Sequence, residues 1–135
     1  MISVALARSL ADSGLVWHPA TGDAFIIDRP EADDDVYTIS EMTIEAHSFG
    51  ASTVLGFNGT TEWALDSVGL DEALWLPREH QLRALLAGTF RSLSREGDGF
   101  VVLAVLDGVD SEFRAEDAAD AYGRALLALI ELAEA

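Results

Sequence analysis

The sequence predicts a single α+β domain over residues 1–135, with a largely antiparallel β-sheet packed against about three helices, one N-terminal, one middle and one C-terminal. Two observations lead to this fold class. Apolar residues recur at helical spacing near both ends of the chain, and several β-rich runs lie between them. These elements do not alternate in the βαβ manner of a parallel sheet. A chain of this length can bury a sizeable core without disulfides or metals.

The first predicted element is a short amphipathic helix over residues 3–13. Ser3 is a suitable N-cap, and Gly14 is suited to the position that follows a helix. Residues 15–17 and 24–28 are predicted to be short extended segments separated by turn-forming residues.

Three β-rich runs follow, at residues 36–40, 42–49 and 53–57. Short polar or glycine-containing breaks separate them, as in an antiparallel meander. The Asn-Gly pair at 58–59 is a strong turn signal. Residues 60–68 either continue as a strand or bend into a short helix, and both alternatives stay open.

The second half of the chain is predicted to contain a helix, a hairpin and a final helix. Pro77 suits the first position of the middle helix, and Gly88 suits its end. The leucines expected on its apolar face are Leu82, Leu85 and Leu86. Residues 90–95 and 100–106 flank a turn and predict a β-hairpin. The last helix follows Asp117. Its apolar stripe comprises Ala118, Ala121, Tyr122, Ala125, Leu126, Leu129, Ile130 and Ala133.

The composition excludes several chemistries. The chain has no cysteine, and all eight of its basic residues are arginine, so it also lacks lysine. Thiol nucleophiles and cysteine-ligated metals are therefore impossible. A Walker A phosphate loop and a Schiff base are excluded as well, because both require lysine. We expect no cofactor and lean towards a protein that is not an enzyme.

The charge balance restricts the partners. The chain has 24 acidic and eight basic residues, a formal net charge of −16. Direct binding to nucleic acid or to an anionic membrane is not expected, because both need a basic surface. Arg8 and Asp12 interrupt the N-terminal apolar stretch, so no signal peptide is predicted. We therefore expect a cytoplasmic protein, and self-association is expected from the general frequency of homodimers.

Residues 57–77 form the segment most suited to binding. Aromatic and aliphatic groups alternate there with polar ones, as they do in small-molecule sites and protein-interface anchors. The candidate binding residues are Asn58, Thr60, Glu62, Trp63, Asp66 and Trp75. The alternative is that the two tryptophans fill the core while the polar residues cap turns.

A second candidate is a metal site on the strand predicted at residues 42–49. If that strand extends back to Glu41, the side chains of Glu41, Glu45 and His47 project from one face. Two carboxylates and an imidazole are suitable ligands for zinc or manganese. The alternative is an ordinary exposed sheet face.

Three blocks of the sequence carry a resemblance to a known family: FNGTTEWALDSV, LWLPREHQLRALL and EDAADAYGRALLALIEL. With these blocks the chain resembles a family of short, mainly actinobacterial proteins of unknown function, some of which bear the label "pilus assembly protein". Pilus-assembly ATPase-like proteins contain a P-loop domain, which this chain lacks. We therefore consider the label unreliable. The resemblance implies no catalytic or ligand residue.

Three functions of different classes follow from these observations. The leading hypothesis is a small cytoplasmic, non-catalytic binding or regulatory domain with residues 57–77 as its contact surface. The first alternative is an acidic inhibitor or nucleic-acid mimic that occupies a basic groove of its partner. The second alternative is a metal-dependent hydrolase that uses Glu41, Glu45 and His47.

Overall fold

The computed structural model describes residues 1–28, 35–39, 44–49, 52–57, 68–69 and 72–134. The helices in this part are α1 (Val4–Asp12), α2 (Glu79–Leu86) and α3 (Ala118–Glu134). The strands are β1 (Ala24–Ile27), β2 (Val36–Thr38), β3 (Ile44–Phe49), β4 (Ser52–Phe57), β5 (Val68–Gly69), β6 (Ala73–Leu76), β7 (Phe90–Glu96), β8 (Gly99–Leu106) and β9 (Val109–Ala115). The predicted α+β class with largely antiparallel strands and three helices is confirmed.

The strands are distributed over three sheets rather than one. Their orders are β2-β1-β6, β3-β4-β5 and β7-β8-β9. The chain also divides into two compact units: unit 1 comprises Met1–Val16 and Leu76–Ala135, and unit 2 comprises Trp17–Trp75. All three helices of the described residues belong to unit 1 together with β7, β8 and β9. A single domain over residues 1–135 stays a prediction, and each unit is described by itself.

The first helix has the ends that its sequence predicts. Ser3 is the N-cap of α1, and its Oγ accepts a hydrogen bond from the Leu6 N–H at 3.3 Å. Gly14 follows the helix with a φ of 110°, a value that glycine adopts without strain. Its N–H donates to the Ala11 carbonyl oxygen at 3.1 Å. Local capping chemistry therefore accounts for both ends of α1.

The middle helix begins two residues later than predicted. Pro77 precedes α2, and Arg78 is the N-cap. Leu82 and Leu86 are buried as expected, whereas Leu85 is 41% exposed. The prediction was wrong for Leu85 because α2 buries a narrow stripe at i, i+4 spacing, and Leu85 lies at its edge.

A third strand, β9, extends the hairpin predicted at residues 90–106. It pairs antiparallel with β8 along its whole length, from Phe100 opposite Ala115 to Leu106 opposite Val109. Asp107 and Gly108 connect the two strands with φ values of 51° and 75°. Positive φ at both central residues is the geometry of a type I′ turn, for which Asp-Gly is a favoured dipeptide. That dipeptide was the sequence signal for the missed strand.

Unit 1 is organised around α3, which packs against β8 and β9 and also against α1 and α2. Tyr122 lies in this core, and its ring is 5.6 Å from that of Phe90. Gly123 permits the close approach of α1, since a Cβ there would lie 2.7 Å from Leu6 Cδ2. The Ser3 N–H donates to Asp120 Oδ1 at 2.7 Å, so α1 and α3 begin side by side.

Unit 2 contains the strands predicted between residues 24 and 57: β1, β2 and β3 are shorter than predicted, and β4 begins one residue earlier, at Ser52. β3 and β4 form a regular antiparallel hairpin from Ile44 opposite Phe57 to Phe49 opposite Ser52. Residues 15–17 were expected to be extended and belong to no strand. The Asn-Gly turn at 58–59 and residues 60–67 lie outside the described residues.

Candidate binding surface

Aromatic side chains gather on one face of the sheet β2-β1-β6. In β1, Phe25 and Ile27 share a face, and in β6 Ala73 and Trp75 do the same, because side chains alternate along a strand. Together with Trp17, these residues pack into one cluster. We call Trp17, Phe25, Tyr37, Ile39 and Trp75 the aromatic cluster.

The four aromatic rings of the cluster form a row in which each ring contacts the next, in the order Trp75, Trp17, Phe25 and Tyr37. The Trp17 ring centroid is 5.5 Å from that of Phe25 and 6.4 Å from that of Trp75. The planes of the two indoles are nearly parallel, at 8°. Tyr37 lies opposite Phe25 in the strand register, and its ring centroid is 5.6 Å from that of Phe25. Such aromatic pairs contribute about 0.5–1.5 kcal/mol each beyond the burial of their area.

The inner part of the aromatic cluster is fixed by a buried carboxylate. Asp23 is only 4% exposed, and its Oδ2 accepts hydrogen bonds from Trp17 Nε1 at 2.9 Å and from the Ala20 N–H at 3.0 Å. The Asp23 carbonyl oxygen accepts from the Ile39 N–H at 2.9 Å. A buried polar group is tolerated when it is hydrogen-bonded in this way. Trp17 is therefore a core residue whose polar atom is satisfied.

Trp75 lies at the outer edge of the same cluster and differs from Trp17 in two respects. Its side chain is only half-buried. Its Nε1 is inaccessible and has no hydrogen-bond partner among the residues that the structure describes. A buried N–H without an acceptor costs about 1–3 kcal/mol, so it is rare in a purely structural position. The edge of the cluster thus combines exposed aromatic area with one unused donor.

The structure describes the side chain of one predicted binding residue, Trp75. The other five, Asn58, Thr60, Glu62, Trp63 and Asp66, lie outside the described residues. Sequence reasoning missed Trp17, Phe25 and Tyr37, which the fold brings against Trp75. The continuous apolar runs at 24–27 and 73–76 were the available signal, since short runs of this kind are typical of buried strands.

The predicted metal site is only partly covered by the structure. Glu41 lies outside the described residues, whereas positions 45 and 47 belong to β3, opposite Gly56 and Val54. Within the described ranges, no group of three or more His, Cys, Asp or Glu side chains is placed to hold a metal ion. The site at Glu41, Glu45 and His47 stays a prediction.

Comparisons with known proteins return no relative. No protein-family model, no curated protein and no solved structure matches the chain. Within the described part of the chain, no helix combines the length and apolar character needed to cross a membrane.

Proposed function

We propose that the protein is a small cytoplasmic, non-catalytic binding or regulatory domain whose contact surface is the Trp75 edge of the aromatic cluster. The observation that supports this function is the half-buried Trp75 ring, which packs on the buried Trp17. Large, rigid aromatic side chains supply contact area at low entropic cost and are common anchors of interfaces. Membership of the actinobacterial family described above is part of the same proposal.

The chemistry of this edge defines the partner. The exposed part of the Trp75 indole presents apolar area, whereas its Nε1 is inaccessible. The complementary group is an apolar or aromatic side chain. Because apolar burial does not depend on ionic screening, we expect the complex to survive high salt.

A capture experiment with immobilised protein tests the function. We expect wild-type protein to retain a specific partner from lysate at both low and high salt, and Trp75→Ala to lose it. Val109→Ala is the matched control, because Val109 is an exposed apolar residue on β9 and is not a member of the aromatic cluster. Circular dichroism establishes that each variant is folded.

Two outcomes contradict the proposal. Equal capture by wild-type protein and by Trp75→Ala removes the aromatic edge as the contact surface. Capture of basic proteins that disappears at high salt favours instead the acidic inhibitor or nucleic-acid mimic, which the net charge of −16 supports.

Two further predictions have separate tests. Saturable uptake of zinc or manganese, lost in His47→Ala, supports the metal-dependent hydrolase, and its absence rejects that alternative. Light scattering that shows a monomer at high protein concentration rejects self-association.

A further inference from the structure

A groove of about 420 Å³ lies in unit 1. It is located where β8 begins and β9 ends, next to the first turns of α3. This volume is within the range of small-molecule sites, about 300–1,000 Å³. The apolar residues that line the groove are Phe100, Val101 and Ala115, and the charged ones are Glu96, Arg114, Glu116, Asp120 and Arg124. The backbones approach closely at one end, where a Cβ on Gly99 would lie 2.7 Å from the Ala115 carbonyl oxygen.

The two arginines of the groove have different partners. Arg114 forms ion pairs with Glu96, at 3.3 Å, and with Glu112. Arg124 forms no ion pair with a carboxylate of the described residues, and its Nη1 donates to the Arg114 carbonyl oxygen at 2.6 Å. This hydrogen bond orients the Arg124 guanidinium while its charge stays uncompensated, which makes Arg124 the available cation of the groove.

Two acidic residues of the groove, Asp120 and Glu116, form no ion pair within the described part of the chain. Asp120 lies four residues before Arg124, a spacing at which opposite charges on a helix commonly pair. The two side chains do not pair here, because Asp120 Oδ1 accepts from the Ser3 N–H and Arg124 turns to the Arg114 carbonyl oxygen. Glu116 is exposed and makes no hydrogen bond or ion pair within the described part of the chain. Asp120, Glu116 and the Arg124 guanidinium thus line the same groove without forming ion pairs with one another.

We propose that this groove binds a zwitterionic small molecule, namely a free α-amino acid with an apolar side chain. The ligand carboxylate pairs with Arg124, and its ammonium pairs with Asp120 and Glu116. The apolar side chain packs on Phe100 and Ala115, which lie opposite each other in the register of β8 and β9. A ligand with one charge alone fits less well, because an anion meets the two carboxylates and a cation meets the guanidinium. The site is independent of the aromatic cluster.

Calorimetric titration with L-leucine tests the proposal. Two analogues remove one charge each: 4-methylpentanoate lacks the ammonium, and 3-methylbutylamine lacks the carboxylate. We expect saturable leucine binding, with both analogues weaker by about tenfold or more, since each loses charge-assisted hydrogen bonds. No saturable binding of leucine in the millimolar range, or equal binding of either analogue, overturns the proposal.

A pair of variants connects the binding to the groove. Arg124→Gln removes the cation and is expected to weaken leucine binding about tenfold or more. Arg91→Gln is the matched control, because Arg91 also donates to main-chain carbonyl oxygens but does not line the groove. Equal leucine affinity of Arg124→Gln and wild-type protein overturns the assignment. Thermal unfolding followed by circular dichroism shows that both variants fold.

Discussion

At the scale of single residues, the two indoles of the aromatic cluster differ mainly in the partner of one nitrogen. Trp17 Nε1 donates to the buried Asp23 carboxylate, whereas Trp75 Nε1 has no acceptor among the described residues. Replacing either residue by phenylalanine removes the same atoms. We expect Trp17→Phe to lower the free energy of unfolding by about 1–3 kcal/mol more than Trp75→Phe, because only Trp17 loses a hydrogen bond to a buried charge.

Urea unfolding of the two variants measures this difference. Equal destabilisation by the two substitutions would show that Trp75 Nε1 has a structural acceptor and is not an unpaired donor.

The start of α3 contributes a pH dependence through Asp117. Burial of the Asp117 carboxyl raises its pKa, but hydrogen bonds from the Met1 ammonium at 3.0 Å and from the Ala119 N–H at 2.8 Å lower it more. The pKa of Asp117 in the folded protein therefore lies below its usual value. Because the pKa of Asp117 is lower in the folded protein than in the unfolded chain, its carboxylate stabilises the fold at pH values above the unfolded-state pKa of about 3.9. This contribution disappears as the pH falls through the pKa of the folded state.

We expect Asp117→Asn to be less stable than wild-type protein at neutral pH by at most about 1 kcal/mol, since the carboxylate is 43% exposed and solvent screens it. The difference should vanish in acid, below the folded pKa. Unfolding curves of both proteins across this range measure it, and a difference independent of pH would contradict the assignment.

At the scale of elements, the backbones of β8 and β9 approach closely at the point where β8 begins, at Gly99, and β9 ends, at Ala115. A Cβ at this position would lie 2.7 Å from the Ala115 carbonyl oxygen, and backbone atoms cannot move aside cheaply. We expect Gly99→Ala to destabilise the protein by about 1–3 kcal/mol. Gly88→Ala is the matched control, because no atom lies within 4 Å of its Cβ position. That substitution should be neutral or stabilising by about 0.4–1 kcal/mol.

Thermal unfolding of the two glycine variants checks this expectation. A Gly99→Ala protein as stable as Gly88→Ala would mean that the β8–β9 junction adjusts freely. Such freedom would also mean that the groove beside Gly99 has no fixed width.

The elements predicted most accurately are those whose ends depend on local chemistry. Ser3 and Gly14 bound α1 as expected, because capping is decided within a few residues. The middle helix begins after its N-cap Arg78 and not at Pro77 as predicted. Pro77 is buried by tertiary packing, which local sequence signals do not specify. The third strand of unit 1 was missed although its Asp-Gly turn was visible, because β9 alternates weakly, with mostly polar residues.

The candidate surface was predicted only in part for a different reason. Trp75 stands out in the sequence because it lies in an aromatic and polar segment. Its partners Trp17, Phe25 and Tyr37 are far from it in the chain. Strand pairing places Phe25 and Tyr37 in one sheet with Trp75, and Trp17 packs against them from outside the strands. A single sequence identifies which residue types suit a site, whereas it does not specify which distant strands become neighbours.

At the scale of the whole molecule, the net negative charge is unevenly distributed between the two units, because most of the arginines belong to unit 1. Unit 2 carries 12 acidic residues and one arginine, whereas unit 1 carries 12 acidic residues and seven arginines. Excess like charge destabilises a compact state through self-repulsion. We expect the melting temperature to rise when salt increases from about 10 mM to about 150 mM, because the Debye length then falls from about 30 Å to about 8 Å.

Thermal scans at the two salt concentrations measure this effect. A melting temperature that falls with added salt would show that favourable ion pairs, such as that between Arg114 and Glu96, outweigh the repulsion.

We propose that the Trp75 edge of the aromatic cluster is a contact surface, whereas Trp17 belongs to the core. A ¹⁵N–¹H spectrum resolves the indole N–H resonances of the three tryptophans, which single Trp→Phe variants assign. On titration with the captured partner, we expect the Trp75 indole resonance to shift and that of Trp17 to stay in place, since Asp23 already holds its N–H. A bound partner that leaves the Trp75 resonance unchanged would contradict the claim.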